Sequence, residues 1–177
     1  METVLILDFG AQYSQLIARR VREQNVYCEV KPCSISPDEI RELAPIGIIL
    51  SGGPQSVYES VSLHVDPALF SLGIPVLGIC YGCQLMAYSL GGTVAAATEA
   101  TAREYGKTLT EFDTESAIFH GLPASSVTWM SHGDYISQVP DGFTVTAKTA
   151  VCPTAAMACP EKKLYGVQFH PEVQHTV

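Results

Sequence analysis

The chain has 177 residues, 47% hydrophobic and 16% charged, which excludes a disordered chain and supplies enough length for one ordinary buried core. Its formal net charge of −8 excludes a general affinity for nucleic acid, which needs a basic footprint. No apolar run approaches the roughly 20 residues that span a bilayer, and Met1-Glu2-Thr3 followed by the short Val4–Leu7 run is no signal sequence.

A cytoplasmic protein without membrane contact is therefore expected. The cysteines at 28, 33, 80, 83, 152 and 159 then read as core or catalytic thiols instead of a disulfide framework, and their spacing makes no metal site.

Thr3–Leu7, Tyr27–Val30, Ile46–Leu50 and Ile74–Ile79 are apolar runs of strand length. Between them lie helical patterns. Residues 12–24 carry Tyr13, Leu16, Ile17 and Val21 on one face, and Arg19-Arg20-x-Arg22 reads as the solvated face of that helix. Ser36 precedes Pro37-Asp38-Glu39 as a helix cap, and residues 66–72 form a short helix. Strands alternating with helices predict an α/β fold, a doubly wound, mostly parallel sheet.

Cys83, Met86, Ala87 and Leu90 mark the core face of a further helix that Gly91-Gly92 ends. Glu99–Glu104 reads as a surface loop. Later β-type runs at Thr93–Ala97, Lys107–Phe112, Val127–Met130, Thr144–Ala147, Ala155–Ala158 and Leu164–Phe169 are expected to add strands to the same domain, with no linker.

The chemistry centres on Gly78-Ile79-Cys80-Tyr81-Gly82. A buried strand that turns at once into a helix lifts Cys80 above the sheet edge, as in the Gly-x-Ser-x-Gly elbow, and the helix N-terminus favours a thiolate. Ligands bind beyond the carboxyl ends of strands in such sheets, so Ser51-Gly52-Gly53 and Cys80 are expected at one edge. A cysteine nucleophile needs a base and a group to orient it. His170-Pro171-Glu172 offers both, because Pro171 favours an extended residue 170 and residues two apart in extended chain face the same way. The blander reading is a surface turn. The N–H groups of Tyr81 and Gly53 are candidate oxyanion donors.

Taken together, Gly78-Ile79-Cys80-Tyr81-Gly82-x-Gln84, Ser51-Gly52-Gly53-Pro54 and His170-Pro171-Glu172 resemble the class I, triad-type glutamine amidotransferases. Asp8-Phe9-Gly10-Ala11-Gln12-Tyr13-Ser14-Gln15-Leu16-Ile17-Ala18-Arg19-Arg20, Ser56-Val57-Tyr58 and Trp129-Met130-Ser131-His132-Gly133-Asp134 narrow the likeness to the glutaminase domains of GMP synthetases, over about residues 3–175.

The resemblance implies a flavodoxin-like fold and catalysis by Cys80, His170 and Glu172. It implies oxyanion binding by the backbone of Gly53 and Tyr81. Glutamine would be held by Gln84, by Ser131, His132, Gly133 and Asp134 mostly through backbone, and by Gln168. It implies no cofactor or metal in this chain, and a synthetase partner, as domain or subunit, that uses ATP and magnesium to aminate xanthosine monophosphate. The expectation is one amidotransferase domain over residues 1–177, without a synthetase domain.

One departure stands out, since Cys83 occupies a position that is usually methionine in this family. It leaves a rival reading, a thiol-disulfide oxidoreductase using Cys80-x-x-Cys83. Three more rivals stand beside it: a catalytically dead scaffold of the same fold, a γ-glutamyl hydrolase and an intracellular protease.

Overall fold

The computed structural model describes residues 1–10, 13–60, 62–97 and 103–177. Ala11 and Gln12 of the N-terminal motif, and residues 99–102 of the expected Glu99–Glu104 loop, lie outside the described residues. The elements are β1 (Thr3–Asp8), α1 (Ser14–Glu23), β2 (Tyr27–Pro32), α2 (Pro37–Leu43), β3 (Gly47–Leu50), β4 (Val76–Ile79), α3 (Tyr81–Ser89), β5 (Thr93–Ala96), β6 (Glu104–Phe112), β7 (Ser125–His132), β8 (Asp134–Gln138), β9 (Thr144–Lys148), β10 (Ala156–Cys159) and β11 (Leu164–Val167).

Nine strands form one sheet in the order β2-β1-β3-β4-β11-β10-β9-β6-β7. Its first five strands are parallel and the rest antiparallel. The doubly wound sheet with added antiparallel strands is thus present. Alternation along β1 builds it: Leu5 and Leu7 enter one core cluster with residues of α3, while Ile6 enters the other with Ile17 and Ala18 of α1. Ser36 caps α2 in a full capping box with Glu39. The expected helix over 66–72 is a 3-10 turn, Pro67–Ser71, capped by Asp66.

Three features depart from the expectations. The strand β8 was not legible. It pairs with β5 in a separate two-stranded sheet that lies over α3, with Val94 and Ile136 in the same core cluster as Leu85 and Met86. Residues Tyr81 to Ala87 are consequently all buried, so α3 is enclosed on both sides instead of packing one face. Glu104 is the first residue of β6, not part of a surface loop, and is 6% exposed. Among the described residues no helix is long and apolar enough to cross a membrane.

Candidate active site

The end of β4 and the start of α3 form the elbow. Cys80 has φ 52° and ψ −109°, a conformation that costs a non-glycine residue about 1–3 kcal/mol and persists where the surroundings over-determine it. The surroundings here are specific. The Cys80 N–H donates to the Val167 carbonyl at 2.8 Å, and the Cys80 carbonyl accepts from the Gln84 N–H at 3.1 Å. A Cβ on Gly78 would lie 2.6 Å from the Gly82 carbonyl oxygen, and one on Gly82 would lie 2.5 Å from that of Leu50. Both glycines are therefore required by close backbone approach, not by loop flexibility.

His170 reaches the same edge because β11 runs parallel to β4, with Val167 opposite Ile79. Its N–H donates to the Trp129 carbonyl at 2.9 Å, and its own carbonyl accepts from the Thr176 hydroxyl at 2.6 Å. The imidazole Nδ1 lies 2.7 Å from Glu172 Oε1, with Tyr13 packed edge-on against the ring. A Cβ on Gly52 would meet His170 Cε1 at 3.1 Å and Cys80 Cβ at 3.6 Å, so imidazole and sulfur share one glycine-lined corner. Burial alone would lower the His170 pKa, but the Cys80 sulfur and the Glu172 carboxylate outweigh it and push it up to about 10. Arg20, expected on a solvated face, instead donates from Nε to the Glu172 carbonyl at 3.0 Å and pairs with Glu23. It braces the residue that orients the histidine.

Cys80 opens onto a cleft of about 410 Å³, lined by Gly53, Tyr81 and Gln84 on one side and Ser131–Asp134 on the other. Tyr81, as the first residue of α3, has a backbone N–H without an intrahelical acceptor. Of the expected substrate contacts, Gln168 does not line the cleft. It is fully buried behind the nucleophile, where its Nε2 donates to Cys80 Sγ at 3.6 Å and its Oε1 accepts from Gln84 Nε2 at 3.1 Å. His132 lines the cleft, but both of its ring nitrogens are engaged by protein groups. Its Nδ1 donates to the Asp134 carbonyl at 2.8 Å and its Nε2 lies 3.0 Å from Glu104.

Glu59, Arg103 and Tyr105 line the cleft and were not anticipated. No periodic or motif signal marks them, because they reach the site only through β6 pairing with β7 and through the loop after β3.

Glu104, His132 and Cys152 bring their side-chain donor atoms within 4.8 Å of one another. Those atoms are already engaged: Thr149 donates to Glu104 at 2.8 Å and the Cys152 thiol donates to Thr154 at 3.3 Å. Burial first, and Glu104 second, push the Cys152 thiol up to about 12, which keeps it protonated. The three side chains form a hydrogen-bonded set with Thr149 and Thr154.

All six cysteines are free. The Cys83 side chain is fully buried, with its sulfur 2.5 Å from where a Gly166 Cβ would stand, and burial raises its pKa strongly. A thiol-disulfide oxidoreductase needs an accessible, low-pKa attacking thiol and a second sulfur free to reach it. Cys83 is a core residue filling the space that Gly166 leaves, which removes the support for the Cys-x-x-Cys reading.

The family model for glutamine amidotransferase class-I matches residues 5–177. Over 99% of its length the chain is 57% identical to a GMP synthase [glutamine-hydrolyzing] from Clostridium botulinum and 55% identical to one from Geobacillus kaustophilus, and it covers 34% of each. The chain thus spans about a third of the length of the curated relatives it matches. The solved structure of a GMP synthase subunit from Thermoplasma acidophilum superposes with TM-score 0.88 at 32% identity, covering 99% of this chain and 87% of that one. A glutamine amidotransferase from Thermotoga maritima shares the fold, with TM-score 0.77 at 24% identity over 97% of this chain and 76% of its own.

Proposed function

The chain belongs to the class-I glutamine amidotransferase family, and from that premise we propose that it hydrolyses L-glutamine and passes the ammonia to a synthetase that aminates xanthosine monophosphate to GMP. The observation that carries this reading is the convergence of Cys80, His170 and Glu172, with Cys80 opening onto a cleft large enough for an amino acid.

The Cys80 thiolate attacks the side-chain carboxamide carbon of glutamine. The oxyanion that forms is held by the N–H groups of Tyr81 and Gly53. The C–N bond breaks as the His170 imidazolium gives its proton to the departing ammonia, leaving a glutamyl thioester on Cys80. Neutral His170 then takes a proton from water as the water attacks the thioester carbon. Collapse of that intermediate releases glutamate and restores the thiolate. Glu172 holds the imidazole in one tautomer and stabilises its charged form. Gln168 supports the sulfur anion through one N–H. Gln84 and the Ser131–Asp134 backbone hold the amino-acid end of glutamine.

No cofactor takes part in these steps. ATP and magnesium act on the synthetase partner, which is a further domain or a separate subunit. A reducing cytoplasmic setting fits six free thiols. Alone, the chain turns over glutamine slowly, and a loaded synthetase accelerates it.

Labelling with a glutamine-mimicking diazoketone tests the reading. Mass spectrometry is expected to find one adduct, on Cys80, that excess glutamine suppresses. Adducts elsewhere, or no protection, would overturn it.

A further inference from the structure

The glutamine cleft is walled by Ser131–Asp134, whose backbone geometry is not maintained by the sheet alone. The Asp134 carbonyl is the junction. It accepts from His132 Nδ1 at 2.8 Å and from Gln84 Nε2 at 3.0 Å. A carbonyl only accepts, so both partners must present N–H to it. With Nδ1 protonated, the other ring nitrogen of His132 shares a proton with Glu104 Oε1 at 3.0 Å. The second Glu104 oxygen accepts from the Thr149 hydroxyl at 2.8 Å. On the other side, both N–H groups of the Gln84 amide are spent, one on Asp134 and one on Gln168 Oε1 at 3.1 Å. Among the described residues this leaves the Gln84 amide oxygen as its polar atom for a substrate.

We infer that Glu104, backed by Thr149, is a positioning residue for substrate binding: it fixes the His132 ring, thereby the Asp134 carbonyl, and thereby the direction in which Gln84 presents its amide oxygen to the cleft. Glu104 does not line the cleft itself. It sits directly across the β6–β7 ladder from His132, and the two are 6% and 4% exposed. Burial makes the arrangement all-or-none. An apolar residue at 104 leaves the inner ring nitrogen of His132 without a partner, and the ring must rotate or the strand end must shift to find one. Either movement releases the Asp134 carbonyl and lets the Gln84 amide turn over. An amide at 104 satisfies the same atoms, since its NH₂ can donate to the ring and its oxygen can accept from Thr149.

This inference rests on the glutamine reading, and its test separates the two. Cys80 is alkylated with iodoacetamide in the presence of increasing glutamine, and the modified peptide is measured by mass. In Glu104→Leu, the glutamine concentration that gives half-protection is expected to rise about tenfold, the equivalent of one lost buried hydrogen bond, while alkylation without glutamine stays within about twofold of the parent. Glu104→Gln is expected to protect within about threefold of the parent. Should Glu104→Leu not fold, Thr149→Val, which removes one bond to the same carboxylate, is expected to raise half-protection by about threefold or more.

Undiminished protection in these variants would overturn the inference alone. So would a Glu104→Gln defect equal to that of Glu104→Leu, or a loss of unprotected alkylation in step with protection. Failure of glutamine to protect the unsubstituted chain would overturn the glutamine reading as well.

Discussion

Gly82→Ala places a methyl group where the structure has none to spare. The added Cβ would stand 2.5 Å from the Leu50 carbonyl oxygen, 2.7 Å from Leu50 Cβ and 2.9 Å from its carbonyl carbon. An ordinary C···O approach is about 3.3 Å, so β3 and the start of α3 must separate by about 0.8 Å. Both sides are backbone of packed elements, and no side chain can yield. Overpacking of this kind costs about 1–3 kcal/mol. The same displacement moves the Tyr81 N–H away from Gly53, which follows β3 by three residues, and an error near 1 Å in a catalytic constellation costs about 10²-fold. Urea denaturation and glutamate release under saturating glutamine read the two effects. Gly47→Ala is the control, since its nearest neighbour would be the Pro75 carbonyl oxygen at 3.8 Å, and it should change neither by much. A Gly82→Ala protein with the parent's stability and turnover would refute the close-approach argument for the elbow.

Three further outcomes follow from the same geometry. Glu172→Gln removes one of the two groups that hold the His170 pKa near 10. Glutamine turnover should fall by about 10²–10⁴-fold. A raised histidine pKa stabilises the fold fully below its ordinary value of about 6.5 and ceases to do so as pH rises through the folded value. The parent's stability advantage over Glu172→Gln should therefore shrink between about pH 6.5 and 10; an advantage that grows over that range in urea titrations would contradict the assigned pair. Cys83→Met pushes a longer side chain toward Gly166 and Met157, at a cost of about 1–3 kcal/mol, yet glutaminase activity should survive; its loss would revive a chemical role for Cys83. Arg20→Met removes the Nε donor to the Glu172 carbonyl and should destabilise by about 1 kcal/mol or less, because the side chain is partly exposed. Turnover should drop severalfold, and an unchanged rate would show that Glu172 needs no brace from α1.

What could be read from the sequence alone is what depends on near neighbours in the chain. The apolar runs of β1, β3 and β4 announce buried strands because each carries its own burial pattern. Ser36-Pro37-Asp38-Glu39 announces a helix start because the capping box closes within four residues. Gly78-x-Cys80-x-Gly82 announces the elbow because the steric demand is local, and His170-Pro171-Glu172 announces a paired imidazole because its hydrogen bond spans two residues.

Strand ends of a parallel sheet share one edge, so the meeting of Gly52 with Cys80 was also legible, but tertiary structure decided the remote side-chain pairings. Arg20 meets Glu172 across 152 residues, Glu104 meets His132 across 28 and Thr149 across 45, and Gln168 meets Cys80 across 88. A charged or amide side chain carries no mark of the group that will satisfy it. Whether Glu104 faces solvent or His132 is settled by β6 pairing with β7 in one register, and whether α3 has a second covered side is settled by β5 pairing with β8. Those pairings are chosen by the free energy of the whole sheet, which no window of the chain contains.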